Sequence, residues 1–197
     1  MVVVGLLLCF VQVALSGPVT EHCCLPRQFT ATVMENGVVQ LPTGPTAIDY
    51  FSHITFDIDK MMMRMDRDGY VHNKPDSQTM FNDYKANRTY FYNKDRFCSP
   101  MHVATVPPVL CFSDSSYHFE GRHHFGSKDH NIISDAWSTT LNGNINMTFY
   151  VTEDCTPVTQ IIIALENEYP SQSIWTYTKF QHGVKPELLT LPANCHP

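Results

Sequence analysis

The segment IDYFSHITFDIDKMMMRM, residues 48–65, indicates the type of fold. β-Branched and aromatic residues fill its first half, methionines fill its second half, and the turn Asp57–Lys60 separates them. Short runs of this kind on either side of a turn are typical of paired strands. The stretch therefore predicts a hairpin of two strands, Ile48–Asp57 and Met61–Met65. Because side chains alternate between the two faces of a strand, Met61, Met63 and Met65 should share one face.

Turn signals elsewhere extend this pattern. Asn36-Gly37 lies inside the alternating run Gln28–Gln40, and an Asn-Gly pair between apolar residues is a strong signal for a hairpin turn. Asp68-Gly69 predicts a further turn after the methionine strand. Another hairpin is predicted from Met80–Tyr84 and Thr89–Tyr92.

The second half of the chain is less regular. Residues 99–130 are rich in Pro, Ser and His and have no clean period, which predicts loops and a short helix. Strands are predicted again from Ile132 onward, at Ile145–Val151, Val158–Leu165 and Ser173–Phe180. No segment of about 12 residues or more carries a helical apolar stripe. The fold class expected is therefore mainly β, with antiparallel pairing and one or two short helices.

The amino terminus has the features of a signal peptide. Its apolar stretch, Val2–Ala14, is shorter than the about 20 apolar residues that span a bilayer. Small residues precede a cleavage point after Ser16. We therefore expect residues 1–16 to be a signal peptide and residues 17–197 to be a single secreted, soluble domain with no membrane span.

Cysteine usage agrees with an oxidising compartment. A bond between the neighbours Cys23 and Cys24 would be strained, which leaves 12 of the 15 connectivities that six cysteines allow. Removal of Cys9 with the signal peptide leaves Cys23, Cys24, Cys98, Cys111, Cys155 and Cys195.

Two N-x-S/T sequons, at Asn87 and Asn146, become meaningful in a secreted chain, because glycans need acceptors that face solvent. Both asparagines are predicted to be glycosylated and to lie at the surface, with Asn87 at the tip of a hairpin.

Charge and motifs argue against several classes of function. The formal net charge of −6 and the pI of about 5.9 argue against nucleic-acid binding. The sequence contains no G-x-S-x-G, P-loop or H-E-x-x-H motif, so the chain is not expected to be an enzyme. A group of histidines raises the hypothesis of a zinc site, although histidine-rich loops are more often solvated. These histidines are His118, His123, His124 and His130.

An ordered set of segments resembles the ependymin family. The hairpin Ile54–Arg64 is similar to an early family hairpin, and Tyr84–Cys98 is similar to one that leads into a cysteine. Trp137 and Tyr150–Val158 resemble a later tryptophan and a Thr-x-x-Cys-x-Pro-Val block, and Phe180–Cys195 resembles the family's ending. Residues 107–130 do not match in detail, and the extra cysteines point to an ependymin-related protein and not to an ependymin itself.

The resemblance implies both a fold and a function. The fold would be a strongly curved antiparallel sheet that forms an incomplete barrel with an apolar pocket, similar to bacterial lipoprotein carriers. The function would be binding of hydrophobic molecules, lipids or fatty acids, by a homodimer that is extracellular or lysosomal. The resemblance also implies disulfides from Cys23 or Cys24 to Cys155, from Cys98 to Cys195, and from Cys111 to the remaining amino-terminal cysteine.

Methionine and aromatic side chains suit such a pocket, because methionine adapts to irregular apolar shapes and aromatic residues line ligand sites. For each of them, a place in an ordinary β core is the alternative. The expected pocket residues are Met61, Met63, Met65, Phe81, Tyr90, Tyr92 and Trp175.

A second function compatible with the family is calcium-associated adhesion to the extracellular matrix. The sequence requires no cofactor, and calcium is the ion that this alternative would use. Asp66-Arg67-Asp68-Gly69 fails the EF-hand pattern, since Arg64 and Pro75 would occupy positions that need acidic ligands. The acidic residues available are Asp57, Asp59, Asp66 and Asp68.

Overall fold

The computed structural model describes residues 23–71, 74–93, 98–101, 111–112, 115–141, 143–165, 170–191 and 195, with the backbone alone for residues 93 and 99–101. These ranges form one antiparallel sheet of 11 strands. The strands are β1 (Gln28–Leu41), β2 (Gly44–Asp57), β3 (Met62–Val71), β4 (Lys74–Asp83), β5 (Arg88–Asn93), β6 (Cys98–Met101), β7 (His118–Ser127), β8 (His130–Leu141), β9 (Ile145–Val151), β10 (Pro157–Ala164) and β11 (Ser171–His182). A short 3-10 helix, Pro186–Leu189, follows β11.

The sheet is built from two consecutive meanders. The strand order is β6-β5-β4-β3-β2-β1-β11-β10-β9-β8-β7, so the first and last strands pair in the middle and β6 and β7 form the two edges. Because the edges do not pair with each other, the sheet is open. The expected mainly β, open antiparallel fold with a short helix is confirmed.

The central hairpin lies where the sequence predicts it. Strand β2 ends at Asp57 and β3 begins at Met62. In the turn, the backbone N–H of Lys60 donates a hydrogen bond to Asp57 Oδ1 at 3.1 Å, and Met61 adopts a φ of 56°. Met61 is therefore a turn residue, so the alternation predicted for it applies only to Met63 and Met65.

The two predicted Gly turns are wrong, because both glycines lie inside long strands. Gly37 pairs with Ile48 of β2 and with Ser173 of β11. A Cβ added to Gly37 would lie 2.5 Å from the carbonyl oxygen of Gln172, and one added to Gly69 would lie 2.0 Å from that of Asp49. Both glycines thus permit a close approach of neighbouring strands, and pairing along the whole strand overrides the local turn preference.

The prediction of loops and a helix for residues 99–130 is also wrong in part. Its ends form strands, β6 and β7, and β7 pairs with β8 through a hairpin. Strand β7 is at an edge, and most of its side chains are exposed, which removes the apolar alternation that marks a half-buried strand. A register shift between Phe119 and Gly121 interrupts the pattern further.

Three disulfides join distant parts of the chain: Cys23–Cys155, Cys24–Cys111 and Cys98–Cys195. This is the pairing that the resemblance implies, and Cys23 is the partner of Cys155. A buried cluster surrounds the first disulfide at the β8–β9 end of the sheet. It contains Cys23, Phe112, Tyr117, Trp137, Val151 and Cys155.

The predicted signal peptide, residues 1–16, lies outside the described residues. Within the described part of the chain, no helix has the length and apolar character needed to cross a membrane.

Candidate functional site

Cross-strand pairing gives the two faces of the sheet different chemistry. A row on one face, which we call the apolar face, runs across β1–β4 through Ala31, Ile54, Met65 and Met80. The adjacent row points to the other side, which we call the opposite face, and contains Thr32, His53, Asp66 and Thr79. The alternation of side chains along each strand produces this division.

The apolar face carries a cluster with a buried centre and a half-buried margin. Its centre contains Phe29, Ala31, Val33, Ile54, Phe56 and Met65. Partly buried side chains pack around it: Ile58, Met63, Met80, Tyr84, Trp175, Tyr177 and Phe180. The margin supplies long, adaptable apolar side chains that solvent still reaches, which is the lining expected of a site for a hydrophobic molecule.

The apolar face continues beyond this cluster across β11, β10 and β9. Trp175 pairs with Gln160, and Gln160 pairs with Phe149, which packs against the cluster around Cys23–Cys155. The hydroxyl of Tyr177 donates to Gln160 Oε1 at 2.8 Å, and burial raises the pKa of this tyrosine. The two apolar clusters are thus linked on one face by the half-buried Trp175 and Phe149 and the buried Gln160.

The structure divides the seven predicted pocket residues, of which Met61 lies in the β2–β3 turn. Met63, Met65 and Trp175 lie together in the cluster on the apolar face. Phe81 pairs with Arg64, whose side chain points away from Met63 and Met65, and it lies on the opposite face. There Phe81, Tyr90 and Tyr92 pack with Leu191 and Cys195 of the carboxyl-terminal segment. The seven residues therefore do not line one pocket, and only Met63, Met65 and Trp175 belong to the candidate site.

A charged network on the apolar face was missed by the sequence reasoning. Arg67 Nη2 donates to Glu35 Oε2 at 2.5 Å, and the guanidinium of Arg67 lies 3.9 Å from the centre of the Tyr50 ring. The Tyr50 hydroxyl donates to Asp76 Oδ2 at 2.6 Å. Burial, reinforced by the Asp76 carboxylate, raises the pKa of Tyr50 to about 12. Counting in steps of two from Val33 and from Met65 would have placed Glu35 and Arg67 on this face.

Three buried donors on the part of the apolar face formed by β2, β3 and β11 have no hydrogen-bond partner within the described ranges. They are Ser52 Oγ, Arg67 Nε and Trp175 Nε1. Ser52 pairs with Arg67 in the sheet, and Trp175 pairs with Glu35, the ion-pair partner of Arg67. Buried polar groups in native proteins nearly always find a partner, so these donors are candidates to hydrogen-bond a bound molecule.

The four aspartates considered for calcium have different surroundings. The Asp59 carboxylate pairs with Arg27 at 2.5 Å, and that of Asp66 pairs with Arg64 at 2.8 Å. Asp57 caps the turn through Lys60, whereas Asp68 is exposed in β3. In the part of the chain that the structure describes, no group of three or more His, Cys, Asp or Glu side chains is arranged to hold a metal ion.

The four histidines considered for zinc are exposed along the β7–β8 hairpin. His123 lies edge-on to the Tyr150 ring, with 5.3 Å between the ring centres, and His124 Nδ1 lies 3.2 Å from the Asn131 amide nitrogen. His118 and His130 lie at opposite ends of the hairpin, at the start of β7 and the start of β8. Their separation along a solvent-exposed hairpin does not favour a shared zinc ion.

Both sequon asparagines are exposed. Asn87 lies in the turn between β4 and β5 with a φ of 54°, as predicted for a hairpin tip. Asn146 lies near the start of β9, where its Oδ1 accepts a hydrogen bond from the Thr140 hydroxyl at 2.8 Å. Both positions can accommodate a glycan.

Comparison with known proteins identifies both a family and structural neighbours. The ependymin domain of amoebozoa matches residues 28–197. No curated protein matches the chain. An uncharacterized conserved protein from Thermus thermophilus has a similar structure, with a TM-score of 0.50, 12% sequence identity, and coverage of 87% of this chain and 89% of that chain. A LolA superfamily protein from Nitrosomonas europaea follows, with a TM-score of 0.39, 8% identity, and coverage of 86% and 93%.

Proposed function

Because the chain belongs to the ependymin family, we propose that it binds hydrophobic molecules, in particular lipids, on the apolar face of its sheet. The observation that carries this proposal is the half-buried margin of the cluster around Phe29, Ile54 and Met65 on the apolar face. Met63, Met80 and Trp175 pack against the buried centre while remaining partly accessible. An acyl chain that covered them would remove apolar surface from water, which is worth about 25 cal/mol per Å².

The unpartnered donors support a ligand that also carries a hydrogen-bond acceptor. Ser52, Arg67 and Trp175 offer an O–H and two N–H groups beside the apolar side chains. The charge of Arg67 is already balanced by Glu35, and Asp76 adds a further negative charge to the same face. A second carboxylate would be repelled, so a neutral ester carbonyl fits these donors better than the anion of a fatty acid.

Tryptophan fluorescence tests the lipid proposal directly. The chain contains two tryptophans, so the Trp137→Phe variant leaves Trp175 as the sole reporter, on the apolar face. Titration of this variant with monoolein should shift the Trp175 emission to shorter wavelength, and sodium oleate should bind more weakly. The matched Trp175→Phe variant, which retains Trp137, should show a much smaller change.

Native mass spectrometry provides the complementary test. Protein purified from a eukaryotic secretion host should retain neutral lipid that organic extraction releases. Protein that carries no lipid, and whose Trp175 emission does not respond to either probe, would contradict the proposal.

We further propose that the protein is a secreted glycoprotein, extracellular or lysosomal. The three disulfides support an oxidising compartment, and the exposure of both sequon asparagines supports glycosylation. Expression in a eukaryotic host should give a protein in the medium whose mass falls on glycosidase treatment. The Asn87→Gln and Asn146→Gln variants should each lose one glycan, and a wild-type mass without glycan would contradict this.

We also propose a homodimer that forms through an apolar patch on the opposite face. Met34, Phe51 and Ile174 lie on neighbouring strands β1, β2 and β11 and are 43%, 44% and 43% exposed. Exposed apolar patches of this kind are typical of interaction surfaces. Light scattering should show a dimer that Phe51→Ser weakens. Ile132→Ser, at a 48% exposed position in β8, is the control that should leave it intact.

A further inference from the structure

A cavity of about 750 Å³ lies on the opposite face, separate from the apolar site. Its floor consists of Thr30 and Thr32 of β1 and of His53 and Thr55 of β2. Its wall is formed by the end of β11 and the residues that follow, as far as Leu188. A volume of this size falls within the range of about 300–1,000 Å³ that holds small molecules.

The wall is fixed by contacts at both ends. The chain turns at Gly183, which has a φ of 83° and whose N–H donates to the Gln28 carbonyl oxygen at 2.8 Å. Arg64 Nη1 then donates to the Leu188 carbonyl oxygen at 3.2 Å. The disulfide Cys98–Cys195 holds the segment further along. We call residues 183–191 together with Cys195 the carboxyl-terminal strap, and these contacts hold the wall of the cavity in place.

Positive charge in this cavity is not balanced. Lys179 and Lys185 line it, and neither forms a salt bridge within the described ranges. The carboxylate in the lining, Asp66, pairs with Arg64 at 2.8 Å and accepts a hydrogen bond from the Thr79 hydroxyl at 2.7 Å. The cavity therefore offers two free ammonium groups to an anion, on a chain with a net charge of −6.

Hydrogen-bonding groups surround these cations. Thr32 Oγ1 lies 3.1 Å from His53 Nδ1, which leaves the Nε2 edge of the imidazole available. Thr30, Thr55 and Gln181 add two hydroxyls and an amide. Such groups can donate to and accept from the hydroxyls of a sugar, whereas Lys ammonium groups bind phosphate as point charges.

From this combination we infer that the cavity binds a phosphate or sulfate monoester carried on a polyhydroxylated group, such as a sugar or inositol. Lys179 and Lys185 hold the anion, and the threonines with His53 hold the hydroxyls. The cavity exceeds the space that a bare phosphate needs, so the hydroxylated part contributes to affinity. This site is separate from the proposed apolar site, because it lies on the other face of the sheet.

Isothermal titration calorimetry of the full, disulfide-intact protein tests this inference with glucose 6-phosphate, inorganic phosphate and glucose as probes. Glucose 6-phosphate should bind at least tenfold more tightly than either of the others. Lys179→Gln/Lys185→Gln should weaken it at least tenfold. Lys85→Gln/Lys128→Gln removes the same charge from two exposed turns and should change it less than twofold.

A neutral variant keeps the test informative if the lysine variants fold poorly. Thr30→Val preserves the charge and shape of the cavity and should reduce the preference for glucose 6-phosphate over inorganic phosphate. Equal weakening by both lysine pairs, or wild-type protein that binds no anionic probe, would overturn the inference.

Vesicles distinguish the two sources of the ligand. If vesicles with 5% phosphatidylinositol 4-phosphate displace glucose 6-phosphate and neutral vesicles do not, the ligand is a lipid head group. If neither displaces it while the soluble probe binds, the ligand is a free or glycan-borne sugar ester. In both cases binding should require Lys179 and Lys185. The emission of Trp175, which reports on the apolar site, should not change in either case.

Discussion

Replacement of Glu35 by glutamine tests how far the charged network stabilises the sheet. The Glu35 and Arg67 side chains are 8% and 20% exposed, and 2.5 Å separates their charged atoms. Loss of one partner of a buried ion pair costs about 3–5 kcal/mol, because the other charge remains uncompensated. Arg67 keeps its contact with the Tyr50 ring, so we expect the free energy of unfolding to fall by about 2–3 kcal/mol. For a chain of this size, that lowers Tm by about 4–12 °C.

Urea unfolding followed by circular dichroism at pH 7, without reductant, measures this change. The Glu35→Leu/Arg67→Met variant removes both charges and should lie within about 1 kcal/mol of wild type. Asp59→Asn breaks an exposed pair with Arg27, at 51% and 71% exposure, and should cost less than about 1 kcal/mol. A cost for Glu35→Gln no larger than that of Asp59→Asn, or a Glu35→Leu/Arg67→Met variant less stable than Glu35→Gln, would refute the reasoning.

Three further predictions concern the same framework. The pKa of Tyr50 is raised to about 12 by burial and by Asp76. The contribution of Tyr50 to stability should therefore be complete below pH 10 and be lost between about pH 10 and 12. Urea unfolding across this range measures the loss, which should be absent in Tyr50→Phe. Gly37→Ala places a Cβ 2.5 Å from the Gln172 carbonyl oxygen, so the free energy of unfolding should fall by about 1–3 kcal/mol in the same assay, and unchanged stability would contradict the close approach. Cys98→Ser/Cys195→Ser should cost about 2–4 kcal/mol and expose the carboxyl-terminal strap to limited proteolysis, whereas a protease-resistant strap would show that its other contacts suffice.

Local sequence patterns predicted the strands better than they predicted the turns. The Asp57–Lys60 hairpin and the β4–β5 hairpin were found because each combines a polar turn with apolar flanks of strand length. Asn36-Gly37 has the same local signal, yet β1 continues through it, since Gly37 pairs on both sides, with Ile48 and Ser173. Pairing of this kind is decided by strands that are distant in sequence, so a short window cannot contain the information.

The candidate site was predicted in its chemistry but not in its membership. Methionine and tryptophan on β-strands indicated an apolar surface, and Met63, Met65 and Trp175 lie together on the apolar face. Phe81 and Tyr90 have the same character but cover the other side, because β4 and β5 place them beneath the strap. Assignment to a face needs the register between strands. The strap covers these residues through contacts between segments that are distant in sequence, among them its disulfide with β6.

Asp68-Gly69 has the local sequence of a turn, but the register of the sheet places Gly69 next to the charged network of the candidate site. Tyr50 of β2, Gly69 of β3 and Asp76 of β4 lie in one row across the sheet. A Cβ at Gly69 would lie 2.8 Å from Tyr50 Cδ1, so the tyrosine ring passes over β3 where a side chain would otherwise stand. Only in this way does its hydroxyl reach Asp76, two strands away, while its ring face receives Arg67. Gly69 is therefore required because the ring of Tyr50 occupies the space of its side chain. The charged network on the apolar face depends on Gly69, although Gly69 forms none of its contacts.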